Sequence, residues 1–497
     1  MKIRTTAALL AFVISSGSAG ADAYRPIIAG EAGDTITLTG HDLTIEQLAA
    51  IARKGQPVEV SPEVRDHQAD AHSLLLEGAA EGLAIPGLDL PGSDGAIPPG
   101  TPEVTDEALV RATMTVRANT LVYQPVTAPV EQMLLDLLNN RITPVVVRPA
   151  DASGSGPLAN IAAAMAGRGD VYYRGIRMPA AQALGRAGLT PIVPADFDSH
   201  ALIDSGAFEI ARTALLANDG RQALEWADMI YAMDLDGLSA SPAPLSLPAQ
   251  ANRPYEWLDW DAERILGLLK GSSLFDDDPA GPARAYPDSL TLSLTRQGAA
   301  WQAWGALRDA VLVALNSSDQ SPVFRVGLSP RESDELSTPQ LMKYYVKGGR
   351  ISGGKRGFII PAFNRDPYPL ARNSTSFAAA LGDLAGAVAH RSPMPPAIDP
   401  NDFGDLERGL DALNRLLATD ITNAAALMDA RATESPDRKF GDAPTAVWTD
   451  LHKVAPAGGS FALDFLRNRS ASVYTPDAES APGTDAPIPL AQEKIHH

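Results

Sequence analysis

Stretch after stretch of this chain places apolar residues three and four positions apart. The pattern dominates from Thr105 onward: EALVRATMTVRANTLV, VEQMLLDLLNNR, AAQALGRAG, SGAFEIARTALLA, RQALEWADMIYAM, DWDAERILGLLKG and TRQGAAWQAWGALRDAVLVALN all carry it. In 406–417 the stripe is Leu406, Leu410, Leu413 and Leu417. A spacing of three and four is the period of the α-helix, and each stripe needs a second helix to cover it. The expected fold is therefore mostly α, a large elongated multi-helix bundle with a small β-containing region near the N-terminus. That region opens with DTITLTG, where Ile36 and Leu38 alternate with polar residues as in a strand. Asp42 or Thr44 then starts the helix TIEQLAAIAR, and Thr44-x-x-Gln47 has the form of a capping box.

The first 23 residues read as a leader. Lys2 and Arg4 precede the apolar run AALLAFVI, and small residues lead to Ala21-Asp22-Ala23, an A-x-A cleavage site. The expectation is a secreted or periplasmic protein cut after Ala23. Residues 24–330 form the N-terminal region and central helices, 331–370 an irregular insertion rich in Gly, Pro and basic residues, and 371–475 the C-terminal helices of the same bundle. Residues 476–497 have the composition of a disordered tail. The proline- and glycine-rich stretch 84–102 can only be a long loop.

The chain has no cysteine, which excludes disulfides, thiol catalysis and cysteine-bound metal. Its 60 acidic residues outnumber 41 basic ones, for a net charge of −19. Such a surface disfavours nucleic acid, which needs a concentrated basic stripe, and anionic membranes for the same reason. Neither is an expected partner.

Several short patterns fail on their context. In GGRISGGKRG (348–357), Gly354-Lys355 imitates a P-loop, but Arg356 replaces the magnesium-binding hydroxyl and no helix follows. No nucleotide is expected. Ser352 and Lys355 fit S-x-x-K, yet the two glycines between them oppose the helix that pattern requires. His67 and His72 are five apart, which does not align two ligands on one helix face. Asp276-Asp277-Asp278 before Pro279 reads as a solvated turn, and no metal is expected.

A more extended pattern surrounds PADASGSGPLAN (149–160). The stretch DTITLTGHDLTIEQLAAIARKGQPVEVSPEV resembles the N-terminus of the histidine and phenylalanine ammonia-lyases. ALVRATMTVRANTLV is similar to their L-R-A-N helix, here Val116-Arg117-Ala118-Asn119. The chain then follows the family through an Ala-Ser-Gly segment, the hairpin GRGDVYYRG, HALIDSGAF in place of L-I-N-G-T, and LNSSDQSPVF in place of L-N-x-x-T-D-N-P.

The resemblance implies the ammonia-lyase bundle, a homotetramer and an amino-acid substrate. It also implies a methylidene-imidazolone formed autocatalytically from Ala152, Ser153 and Gly154. Glycine offers an unhindered amide nitrogen and permissive backbone angles, serine loses its hydroxyl, and alanine is small enough for the turn. The expected activity is loss of ammonia from a histidine-, phenylalanine- or tyrosine-like α-amino acid.

The chain also departs from the family. Pro86 stands nearest its loop tyrosine, Asp204 replaces the asparagine of L-I-N-G-T, and the Y-S-x-R arginine is Thr291 after Tyr286. Its asparagine-glutamine-glutamate segment reduces to Asn401-Asp402. Tyr286 and Tyr123 are the candidates for acid–base work. Asp204, Arg148 and Asn316 are the candidates for binding substrate, with Arg148 placed to neutralise a carboxylate. The alternative is a catalytically degenerate homologue that binds a small ligand or serves as a scaffold.

Overall fold

The computed structural model describes residues 33–80, 82, 85, 100–101, 106–146, 148–149, 156–194, 196–276, 284–326, 346–350, 356–360, 364, 366–393, 395–454 and 461–475. The expected leader (1–23) and tail (476–497) lie outside them, as does most of 84–102.

The N-terminal region forms as its sequence dictates. Strand β1 (Ile36–Leu38) buries Ile36 and Leu38 and turns Thr37 outward. Helix α1 (Ile45–Lys54) starts at Thr44, whose hydroxyl accepts from the Gln47 amide while the Gln47 side chain accepts from the Thr44 N–H. The capping box is thus formed, and Thr44 rather than Asp42 is the cap. Gly55, with φ of 67°, ends the helix in the left-handed region where a side chain would be strained. Strand β2 (Val58–Val60) returns parallel to β1, and α2 (Pro62–Ala80) follows.

Strand β3 (Gly100–Thr101) precedes α3 (Glu107–Thr120), a helix buried on every side. Then come α4 (Ala128–Asn139), β4 (Ile142–Pro144), β5 (Arg148–Pro149) and α5 (Gly156–Met165). Strands β6 (Asp170–Tyr173) and β7 (Ile176–Pro179) form a hairpin and continue β4 into a three-stranded antiparallel sheet. Arg174 and Gly175 both have positive φ (51° and 82°), the two-residue geometry that matches strand twist. Helices α6 (Ala180–Arg186) and α7 (Asp196–Ile203) lead to the centre of the molecule.

The central element is α8 (Ala207–Leu238), 32 residues long. Its sequence reads as two helical stretches separated by Asn218-Asp219-Gly220, yet they form one helix. Gly220 is there for packing: a Cβ would stand 2.5 Å from Cε1 of Phe377, too close for any side chain. Helices α9 (Leu247–Gln250), α10 (Glu256–Leu268) and α11 (Ser293–Leu315) follow. Strands β8 (Val323–Arg325), β9 (Val346–Arg350) and β10 (Arg356–Ile360) make an antiparallel sheet in the order β8-β10-β9. The stretch 331–370, expected to be irregular, therefore holds two strands. The chain closes with α12 (Tyr368–Arg391), α13 (Leu406–Glu434), α14 (Asp442–Val454) and α15 (Phe461–Asn468).

α8 packs against α1, α3, α10, α11 and α13, so the apolar stripes legible in the sequence meet around it. The fold is a mostly α bundle with short strands at its margins. Among the described residues no helix is long and apolar enough to cross a membrane.

Candidate functional site

The candidate residues fall into three places. The first is the connection between β5 and α5. Ala152, Ser153 and Gly154 lie outside the described residues, but both flanks are described. β5 pairs antiparallel with β3, with Arg148 opposite Thr101 and Pro149 opposite Gly100. α5 begins at Gly156 and is almost entirely buried, and the Asn160 amide donates to the Gly156 carbonyl (2.7 Å) to steady its first turn. In the chain the tripeptide follows a paired strand and precedes a packed helix, and its residue types are those a methylidene-imidazolone needs. The residues fit the group. Arg148 stands in the strand five residues before Ser153, and its side chain lies outside the described residues.

The second place is a buried polar hub where α3 meets the end of α11. Arg117 is fully buried and donates to Thr120 Oγ1 (2.7 Å), Asp319 Oδ1 (3.2 Å), Gln320 Oε1 (2.7 Å) and the Ala201 carbonyl. Burial lowers its pKa, and the nearby Asp319 and Asp204 oppose that shift. Asp319 also accepts from Ser205 Oγ (2.5 Å) and the Gly206 N–H (2.7 Å). Asp204 joins through its backbone, whose carbonyl accepts from Gln320 Nε2 (2.6 Å), while its carboxylate lies 3.6 Å from His200 Nε2.

Asn316 belongs to the same hub. Its Oδ1 accepts from the Leu43 N–H (2.9 Å) and its Nδ2 donates to the Leu43 carbonyl (2.9 Å), as a strand neighbour would. Asn119 bonds Gly40 N and the Leu315 carbonyl beside it. Tyr123 completes the group: its hydroxyl is 2.8 Å from the Gly40 carbonyl, 2.9 Å from the Asn316 carbonyl and 2.9 Å from His41 Nδ1. Two acceptors compete for one phenolic proton, so His41 carries its proton on Nδ1 and donates to the oxygen. Burial raises the Tyr123 pKa. Tyr123 and Asn316, which the sequence nominates separately, are therefore one latch holding residues 40–43 against α11.

The third place is Tyr286, half-buried on the segment that leads into α11. Its hydroxyl lies 2.5 Å from that of Tyr231 and 2.9 Å from the Leu290 carbonyl. Tyr231 is fully buried on α8, and the Arg391 guanidinium sits 5.4 Å from its ring centre. Arg391 is held by Asp420 (2.7 Å) and Asp234 (3.3 Å). Burial raises the pKa of both carboxyls, which share one arginine, and their mutual repulsion drives Asp234 well up. Thr291 contributes no charge here; its hydroxyl donates to the Asp288 carbonyl (2.7 Å).

Other nominated residues stay apart. Asn401 is exposed and donates to Asp399 Oδ1 (2.9 Å), and Asp402 lies 3.8 Å from Arg415. Pro86, Ser352 and Lys355 lie outside the described residues. His72 Nδ1 meets the Pro125 carbonyl (3.2 Å). No cluster of three or more His, Asp or Glu fit for a metal occurs among the described residues.

Reading the sequence missed Tyr231, Arg391, Asp234 and Asp420. The signal was present as acids at core positions: Glu225, Asp228, Asp234 and Asp236 interrupt an otherwise apolar helix and are all buried. Buried charge implies a partner, though only the fold names it.

Known proteins match this chain in sequence and in fold. The family model described as aromatic amino acid lyase matches residues 97–392, more than half of the 497-residue chain. The histidine ammonia-lyase of Treponema denticola is 28% identical over 314 residues, which cover 58% of this chain and 61% of that relative. The match thus spans about three fifths of the relative's length. The crystal structure of ergothionase from Treponema denticola superposes with a TM-score of 0.69 at 19% identity, covering 89% of this chain and 99% of that one. Tyrosine aminomutase from Streptomyces globisporus gives a TM-score of 0.69 at 18% identity, covering 89% and 97%. At those identities the structures establish a shared fold, and the family match adds descent: the chain belongs to the aromatic amino acid lyase family.

Proposed function

We propose that the protein is an exported ammonia-lyase that eliminates ammonia from a histidine-, phenylalanine- or tyrosine-like α-amino acid. The observation that carries this reading is the family match over 97–392, which takes in Ala152-Ser153-Gly154 together with both flanking elements, β5 and α5. A methylidene-imidazolone on that tripeptide supplies an electrophile that no natural side chain offers. Tyr286 is assigned the proton-accepting role, because the Tyr123 hydroxyl is locked between two carbonyls. Arg148, on the strand leading into the tripeptide, is assigned to the substrate carboxylate. The family's homotetramer is part of the proposal.

One observation favours a second reading, a degenerate homologue that binds a small amino-acid-like ligand or acts as a scaffold. Thr291, where the family carries an arginine, spends its hydroxyl on its own turn. The intact mass of the purified protein separates the two. Cyclisation removes two waters, about 36 Da, and cleavage after Ala23 starts the chain at Tyr24. The lyase reading expects both changes, with the 36 Da deficit abolished in Ser153→Ala. A wild type without that deficit rules out the prosthetic group, and the second reading then leads.

A further inference from the structure

The Tyr231–Tyr286 pair has a direction. The Leu290 carbonyl, 2.9 Å from the Tyr286 oxygen, can only accept, so the Tyr286 proton points to Leu290. The proton between the two hydroxyls, 2.5 Å apart, is then that of Tyr231. The order runs from Tyr231 to Tyr286 to Leu290.

That order makes the two phenols unequal. If Tyr286 loses its proton, its phenolate keeps the bond donated by Tyr231 and gives up only the one to Leu290. If Tyr231 loses its proton, Tyr286 has to turn away from Leu290 to hold the anion, and the charge then sits on a fully buried oxygen, whereas Tyr286 is only half-buried. Burial raises the pKa of Tyr286 and the bond from Tyr231 lowers it, whereas burial and Tyr286 both raise Tyr231.

The charged groups facing the pair come from four helices. Arg391 on α12 lies over the Tyr231 ring and bears on both phenols. Asp234 on α8 and Asp420 on α13 are bound to that arginine, and Asp261 on α10 bears on Tyr231. Tyr231 is fully buried and touches no solvent, so it can act only through its neighbour.

We propose that Tyr231 is a positioning residue for Tyr286: it orients the hydroxyl and holds its phenolate, making Tyr286 the member of the pair that accepts the substrate's proton. The last clause rests on the ammonia-lyase reading; the ordering of the pair does not.

The test places 3,5-difluorotyrosine at 286 in the full-length protein and follows its fluorine resonance against pH. Tyr231→Phe is expected to lower the ionisation constant of residue 286 about tenfold, moving its midpoint up. An unmoved midpoint overturns the proposal. Should Tyr231→Phe fold poorly, the same probe at 231 in the otherwise native chain decides the matter. It is expected to stay protonated where 286 ionises, and ionisation of 231 first overturns the order. In an active enzyme the kcat/KM profile of Tyr231→Phe shifts to higher pH by the same amount, and a fixed profile overturns the positioning role. A full-mass, inactive protein instead refutes the lyase reading, and the fluorine titration still decides the pair.

Discussion

Two arginines in this molecule are equally buried and are satisfied by opposite means. Arg117 is met by dipoles: a hydroxyl, an amide oxygen, a backbone carbonyl and one carboxylate, Asp319. Arg391 is met by charge: Asp420, Asp234 and the face of the Tyr231 ring. Burial lowers the pKa of Arg117 and the surrounding acids only partly compensate, while at Arg391 the two carboxyls outweigh burial and raise it. Dipoles tie chain segments together without excess charge. Two carboxyls facing one guanidinium leave a surplus that a proton must neutralise. The same surplus recurs along α8 at Asp228, which accepts from Arg264 (3.0 Å), Gln297 (3.1 Å) and Trp301 (3.1 Å). Asp261 faces it, and among the described residues its oxygens meet no donor unless a proton lies between it and Asp228. The Arg117 hub is held by hydrogen bonds, while burial and facing carboxyls push Asp234 and Asp261 toward their protonated forms.

Removing each arginine is the strongest way to break that contrast. Arg117→Met and Arg391→Met are both expected to cost about 3–5 kcal/mol at pH 8, because each strands buried partners. Thermal unfolding at pH 5 separates them. After Arg391→Met the stranded Asp234 and Asp420 take up protons, so much of the loss is recovered. After Arg117→Met, the stranded hydroxyl, amide oxygen and backbone carbonyl take up no proton at pH 5, so acid restores little. Equal behaviour at pH 5 would erase the distinction.

A smaller effect is expected at the shared proton itself. Burial raises Asp228 to about 6 and pushes Asp261 well up. Between the ordinary carboxylate value and that range, the folded state therefore binds more protons than the unfolded chain. Stability from this pair is greatest in acid and falls as pH rises through about 4 to 6. Asp261→Asn removes one titrating group and supplies an N–H toward Asp228. Its expected outcome is a gain of about 1–2 kcal/mol at pH 8, little change at pH 4, and a flatter Tm profile. A loss at pH 8 would mean that Asp261 is held as a carboxylate. Smallest of all, Tyr123→Phe deletes the hydroxyl that spans Gly40 and Asn316. It is expected to cost about 1 kcal/mol in urea unfolding, without altered pH dependence.

Much of the fold was legible before any coordinates. Thr44 and Gln47 announced the cap of α1, Ile36 and Leu38 the first strand, and the leucines of 406–417 the buried stripe of α13. These are local signals, read within one or two turns of chain. The joining of two helical stretches into α8 was not legible, because Gly220 looks like a breaker until Phe377 is seen against it. The strands within 331–370 were hidden likewise, since pairing with β8 is a long-range event.

The site divides on the same line. The resemblance to a known family nominated Tyr123, Asn316, Asp204 and Tyr286 together with Ala152-Ser153-Gly154. Whether a nominated side chain is free for chemistry depends on what stands 3 Å away, and the neighbours that decide it lie 55 to 273 residues distant in the chain. His41, Gly40 and Leu43 fill the hydrogen bonds of Tyr123 and Asn316, while Tyr286 stands half-buried between Tyr231 and the Leu290 carbonyl. The sequence by itself determined the helices, their buried faces and the tripeptide. Only the tertiary structure decided which polar groups are committed, because a hydrogen bond needs two partners and the chain brings them from far apart.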